Sequence, residues 1–131
     1  MGDKVLIDTS VWIDFFRRSK PEVIERIATL LKSGRAVCTG IIAQELVNGA
    51  KGRKELQALC DAFDTMRHVT ADETTYMRAG RMGYEFARKG HTMSTVDLLI
   101  SQIAIENDLS LMTLDEHFDT IAKSSALRLF K

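Results

Sequence analysis

Cysteine, proline and net charge are all scarce in this chain, and each shortage narrows what the protein can be. The two cysteines, Cys38 and Cys60, stand 22 positions apart with no CxxC pair and no nearby pair of histidines. That spacing excludes a disulfide-built scaffold and a zinc ribbon, and two buried thiols in a reducing cytoplasm are the expectation. A single proline and eight glycines in 131 residues, with 45% hydrophobic and 27% charged residues, exclude a collagen-like or disordered chain and fit one globular domain over residues 1–131. No apolar run reaches the length of a membrane span. Asp3 and Lys4 are followed only by a strand-length apolar run, so the h-region of a signal peptide is missing; Met1-Gly2 leads to Leu6 where an acylation signal needs Ser or Thr. A cytoplasmic protein with no membrane partner is expected.

Excess charge of either sign is also lacking. Lys plus Arg and Asp plus Glu each total 18, so the overall field cannot by itself hold a polyanion. A nucleic acid must then be gripped locally, by clusters such as Arg17, Arg18 and Lys20; Lys51, Arg53 and Lys54; Arg78 and Arg81; or Arg88 and Lys89. Each cluster reads equally well as a solvated helix face. There is no GxxxxGK[ST] phosphate loop and no GxSxG elbow, and Gly80-Arg81-Met82-Gly83 falls inside a helical pattern. His68, His91 and His117 share no ligand spacing; of these, only His117, close to Asp115, is placed to touch a phosphate. Met66, Met77, Met82, Met93 and Met112 read as core gap-fillers.

What is present is alternation. Val5-Leu6-Ile7 is a strand running into Asp8-Thr9-Ser10, and Val11, Trp12, Phe15 and Phe16 follow at helical spacing. A second helix opens at Pro21 and stops at Gly34; Ala36 to Thr39 is a strand, and Gly40 to Val47 and Arg53 to Phe63 are helices. A short strand over Met66 to Val69 precedes a long helix from Asp72 to Arg88, stopped by Gly90. Another helix starts at Ser94, with Leu98, Leu99, Ile103, Ala104 and Ile105 as its buried positions. Leu109 to Thr113 is a strand, His117 to Ala122 a short helix and Leu127 to Phe130 a last strand. Strands alternating with helices indicate an α/β domain whose mainly parallel sheet is covered on both faces.

Ligands of such sheets bind beyond the carboxyl ends of the strands, where Asp8 and Asp115 both fall. Each acid has a structural alternative. Asp8 and Asp115 could simply cap the helices that follow them. Asp97, three residues after Ser94, fits a capping box. Glu45 could be a surface residue, although no Lys or Arg within its short helix stands three or four positions away to pair with it. Carboxylates converging from separate elements repel unless a cation neutralises them, and a hard divalent ion such as magnesium is the natural remedy. Phosphodiester hydrolysis is the chemistry that such a site supports.

Four local motifs occur in order: Val5 to Ile13 around Asp8-Thr9-Ser10, Gln44-Glu45-Leu46, Gly90 through Thr95-Val96-Asp97-Leu98-Leu99-Ile100, and Leu111-Met112-Thr113-Leu114-Asp115-Glu116-His117-Phe118. In this order they resemble the PIN-domain proteins, and more narrowly the VapC toxins of toxin–antitoxin pairs, over about residues 3 to 130. The resemblance implies a three-layer fold with a five-stranded parallel sheet flanked by helices. It also implies that Asp8, Glu45, Asp97 and Asp115 form an acidic quartet that binds magnesium or manganese and supports endonucleolytic cleavage of RNA, leaving 3′-hydroxyl and 5′-phosphate ends. Thr9 and Thr113 match hydroxyl positions beside the metal site, and Asp119 is an alternative to Asp115 as the fourth acid. Implied partners are an RNA substrate such as a tRNA or rRNA, a VapB-like antitoxin whose C-terminal segment packs along the toxin, and a second copy in a homodimer. Trp12, Phe15 and Phe16 suit an antitoxin groove, though aromatics at helical spacing are more often core. The alternatives of another class are a PIN-like DNA nuclease or aspartyl phosphatase, and a receiver-like, non-catalytic binding module; Asp8-Thr9-Ser10 lacks the second acid that the phosphatase and the receiver both use.

Overall fold

A computed structural model describes residues 3–131; Met1 and Gly2, read above for acylation, lie outside the described residues. The elements run β1 (Val5–Ile7), α1 (Thr9–Arg17), α2 (Pro21–Lys32), β2 (Ala36–Thr39), α3 (Gly40–Asn48), α4 (Arg53–Thr65), β3 (Arg67–Val69), α5 (Glu73–Arg88), α6 (Thr95–Glu106), β4 (Ser110–Met112), α7 (His117–Lys123) and β5 (Arg128–Leu129). Every strand pairing is parallel, in the order β3-β2-β1-β4-β5. The expected five-stranded parallel α/β architecture is therefore present, with strand ends at the sequence-based bounds or one residue inside them.

The central strands are apolar on both faces because helices cover both. Val5, Leu6 and Ile7 of β1 are wholly buried, as are Val37 and Cys38 of β2, the signature of a doubly covered parallel sheet. In α6 seven consecutive residues, Leu98 to Ala104, are buried, which a helix achieves only when it is surrounded by protein. Helix α5 lies against it closely: a Cβ on Gly83 would come within 2.7 Å of the Leu98 Cδ1.

Sheet order sets the position of the site. The chain winds outward from β1 through β2 to β3, then returns to the other side of β1 for β4. This reversal opens a crevice past the carboxyl ends of β1 and β4, where parallel sheets bind ligands. The register pairs Ile7 with Met112, and the Asp8 N–H continues the ladder to the Met112 carbonyl at 2.9 Å. Both strands thus end level at this edge.

Three expectations about burial need correction. Cys38 is buried, and burial pushes its thiol up to about 11, but Cys60 is exposed, because it follows Leu59, the residue that α4 turns to the core. Met77 is 65% exposed on the outer face of α5 rather than filling a gap. Ile105 is only partly buried, since α6 is approaching its end there. Trp12 is fully buried with Phe15, Phe16 and Phe63 around its ring, so it belongs to the core and not to an open groove.

Candidate active site

The crevice collects acids from separate elements. Asp8 occupies the N-cap position of α1, yet its carboxylate makes no capping bond. Its Oδ2 instead accepts from the Ser10 hydroxyl at 2.8 Å and from the Thr113 hydroxyl at 2.9 Å. Asp8 is only 6% exposed, so these two bonds satisfy one oxygen of a largely desolvated carboxylate and leave Oδ1 without a hydroxyl donor. The two hydroxyls also clamp the turn after β4, since Ser10 Oγ accepts the Leu114 N–H and Thr113 Oγ1 accepts the Asp115 N–H, each at 3.0 Å. Asp8 is thereby tied to the segment that carries the fourth acid.

Asp97 lies in the first turn of α6, whose N-cap Ser94 accepts the Asp97 N–H at 3.0 Å. The reciprocal bond of a capping box is not formed here, in contrast to Asp72 and Thr75 at the start of α5, where both halves are present. The Asp97 carboxylate is consequently free to face the crevice. Burial raises its pKa above the ordinary aspartate range; the Ser94 hydroxyl opposes the shift, the Asp115 and Asp8 carboxylates add to it, and His117 offsets part of it. Asp115 Oδ1 accepts the His117 backbone N–H at 2.9 Å, so its helix-start role is real, and the same oxygen lies 3.3 Å from His117 Nδ1. Glu45 is on the exposed side of α3, where its Oε1 accepts from the Thr9 hydroxyl at 2.9 Å.

The donor set fits a divalent cation. Asp97, Asp115 and His117 each offer one atom within 4.8 Å of the others. Among the described residues no Lys or Arg forms an ion pair with Asp8, Glu45, Asp97 or Asp115. A buried Asp8, a repelled Asp97 and a half-exposed Asp115 with only an imidazole for relief are what a cation of hard or borderline character would stabilise.

Residues 5–124 match the PIN domain family profile. The chain belongs to the PIN domain family. This PIN domain is 28% identical over 128 residues to ribonuclease VapC11 of Mycobacterium tuberculosis, covering 95% of this chain and 96% of that one. It is 27% identical over 128 residues to ribonuclease VapC1 of Methanocaldococcus jannaschii, covering 97% and 87%. Its fold is similar to that in the DNA-bound VapBC structure from Salmonella typhimurium, with a TM-score of 0.79, 20% identity and 98% of both chains covered.

Within the PIN domain, the acids singled out from the sequence are distributed unevenly. The Asp8 and Asp115 carboxylates both act on Asp97, and Glu45 joins through Thr9, the residue next to Asp8. Asp119 is exposed on α7 and lines a neighbouring cavity of about 160 Å³ with Asp115, Glu116 and Lys131. Two residues were undervalued by sequence reasoning. Ser10 has no role assigned from the sequence beyond its place in Asp8-Thr9-Ser10, and His117, noted for its closeness to Asp115, also lies beside Asp97. The position of Ser10 two residues after a strand-end Asp was the available signal.

Proposed function

We propose that this chain is a VapC-like, metal-dependent endoribonuclease, a single PIN domain over residues 1–131 that acts as the toxin of a toxin–antitoxin module in the cytoplasm. The observation that carries the reading is the gathering of Asp97, Asp115 and His117 at the reversal point of a parallel sheet, with the Asp8 charge also acting on Asp97 and no Lys or Arg among the described residues paired to these acids. Asp8, Glu45, Asp97 and Asp115 are the catalytic and metal-holding acids, with Thr9 and Thr113 supporting and Asp119 peripheral. Magnesium or manganese bound there supplies a water of lowered pKa and polarises a phosphoryl group. Ser10 and Thr113 hold Asp8 Oδ2 and leave Oδ1 without a hydroxyl donor. Thr9 holds Glu45 Oε1 and leaves Oε2 to accept a proton from an attacking water. Arg17, which lines a small cavity together with Glu45, provides local positive charge for the RNA backbone.

A VapB-like antitoxin and a second copy of this chain are the proposed protein partners, and a structured RNA such as a tRNA or rRNA the substrate. The test is cleavage of end-labelled total RNA by the purified protein with magnesium or manganese, beside an EDTA control and the Asp8→Asn variant. Discrete cuts leaving 3′-hydroxyl and 5′-phosphate ends, lost with EDTA and at least about a thousandfold slower in the variant, are expected. RNA left intact by an active-metal preparation, together with turnover of DNA or of phosphate monoesters, would favour the DNA nuclease or phosphatase instead. Light scattering of the same preparation reads the dimer.

A further inference from the structure

His117 is the residue whose geometry is least explained by the acidic quartet. Its Nδ1 lies 3.3 Å from Asp115 Oδ1, and one of its ring nitrogens stands with an Asp115 and an Asp97 oxygen in a set of three donor atoms within 4.8 Å. In an octahedral site with bonds of about 2.1 Å, adjacent ligands stand about 3.0 Å apart and opposite ones about 4.2 Å. The His117 to Asp115 separation is therefore close to that of neighbouring ligands on one cation. The backbone that carries His117 is anchored. Its own backbone N–H is bonded to the same Asp115 oxygen at 2.9 Å, and the next residue, Phe118, is completely buried. The side chain itself is 79% exposed, which leaves the imidazole open to an incoming ion.

We infer that His117 is a nitrogen ligand of the cation held by Asp97 and Asp115, so that this site binds a first-row transition ion such as manganese in preference to magnesium. The inference rests on the carboxylate site proposed above. The chemical reason is that magnesium keeps oxygen ligands and water, whereas imidazole adds affinity for first-row transition ions. An all-carboxylate site would discriminate less between the two ions.

The test uses the full chain loaded with Mn2+ and pulsed EPR, which detects 14N coupled directly to the ion. Protein labelled with 15N only at histidine separates imidazole from backbone nitrogen. Histidine-type coupling is expected in the wild type and absent in His117→Gln, while His68→Gln and His91→Gln retain it. Titration calorimetry on the same proteins should show Mn2+ affinity falling roughly tenfold in His117→Gln, with Mg2+ affinity changed less than about twofold. Bound Mn2+ without imidazole coupling in the wild type overturns the inference whether or not the variant folds, as does an equal loss for both ions. If the wild type binds neither ion, the carboxylate site itself fails, a result distinct from either of these.

Discussion

Replacing Asp97 with asparagine should stabilise the metal-free protein while removing its metal response. Asp97 and Asp115 present oxygens 4.8 Å or less apart. Two unit charges at 4.8 Å repel by about 3.5 kcal/mol at an effective dielectric of 20, and by about 0.9 kcal/mol at that of water. Asp97 is half-buried, so the cost lies between these limits, and His117 beside Asp115 offsets some of it. Against the gain stands the attraction between Asp97 and the N-terminal end of α6, about 0.3–1 kcal/mol, which asparagine forgoes. A net stabilisation of about 1 kcal/mol remains, or an increase in Tm of roughly 3–5 °C for a chain of this size. The pH dependence has a definite sign. A carboxyl whose pKa is raised by folding binds its proton more tightly in the native state; that stability is fully present below the unfolded pKa of about 4 and is lost as pH rises through the higher folded value. The advantage of Asp97→Asn should thus be near zero in acid and grow toward neutrality. Thermal melts in EDTA across this range read it directly. Adding Mn2+ at a hundredfold above its Kd should then stabilise the wild type by about 2.7 kcal/mol and the variant far less, reversing their order. A variant less stable than the wild type in EDTA at neutral pH, or an advantage that persists unchanged into acid, would refute the electrostatic account.

Three further outcomes follow from named contacts. Ser10→Ala removes a donor to buried Asp8 and the acceptor of the Leu114 N–H; a loss of about 1–3 kcal/mol in urea unfolding is expected, with weakened Mn2+ binding, and unchanged metal affinity would mean that Asp8 is held without it. Asp115→Asn should lower Mn2+ affinity sharply and Asp119→Asn by less than about twofold, because a site open to solvent is weakly coupled to a charge beyond its ligands; the reverse order in calorimetry would move the fourth acid to Asp119. Cys60 should react with a thiol reagent in the native protein while Cys38, buried and raised to about 11, reacts only on unfolding; two fast thiols would place Cys38 at the surface.

How much of this was legible in the sequence depended on the range of the interaction. Apolar runs that stop at a polar residue, as at Ile7-Asp8 and Met112-Thr113, announce strand ends through neighbours alone, and the parallel α/β class follows from their alternation with helices. Gly90, with φ of 88°, marks the stop after α5 for an equally local reason. The hydroxyl clamp is different. Ser10 and Leu114 are 104 positions apart, and nothing in Asp-Thr-Ser states which hydroxyl will turn toward the acid and which, as with Thr9, will turn to Glu45. Exposure of Cys60 and Met77 was missed because apolar residue type fixes a preference and not a helix face. The proposed quartet rests on motif order; spacing alone leaves every acid open to a structural role.

That ambiguity between capping and chemistry has a physical origin. Asp8, Asp97 and Asp115 all stand at helix starts, those of α1, α6 and α7 respectively. A parallel sheet with helices returning over its faces aims the N-terminal ends of those helices at its carboxyl edge, where unpaired N–H groups favour negative charge. The fold therefore lowers the cost of gathering carboxylates at this edge. The helix starts are then satisfied in different ways: Asp8 leaves α1 without a side-chain cap, Ser94 caps α6 on behalf of Asp97, and Asp115 both bonds the His117 N–H and faces the crevice. An acid that stands at the cap position and does not cap, as Asp8 does, is accordingly a stronger mark of a functional site than an acid in a crevice alone, because a bond worth about 1 kcal/mol has been left unmade.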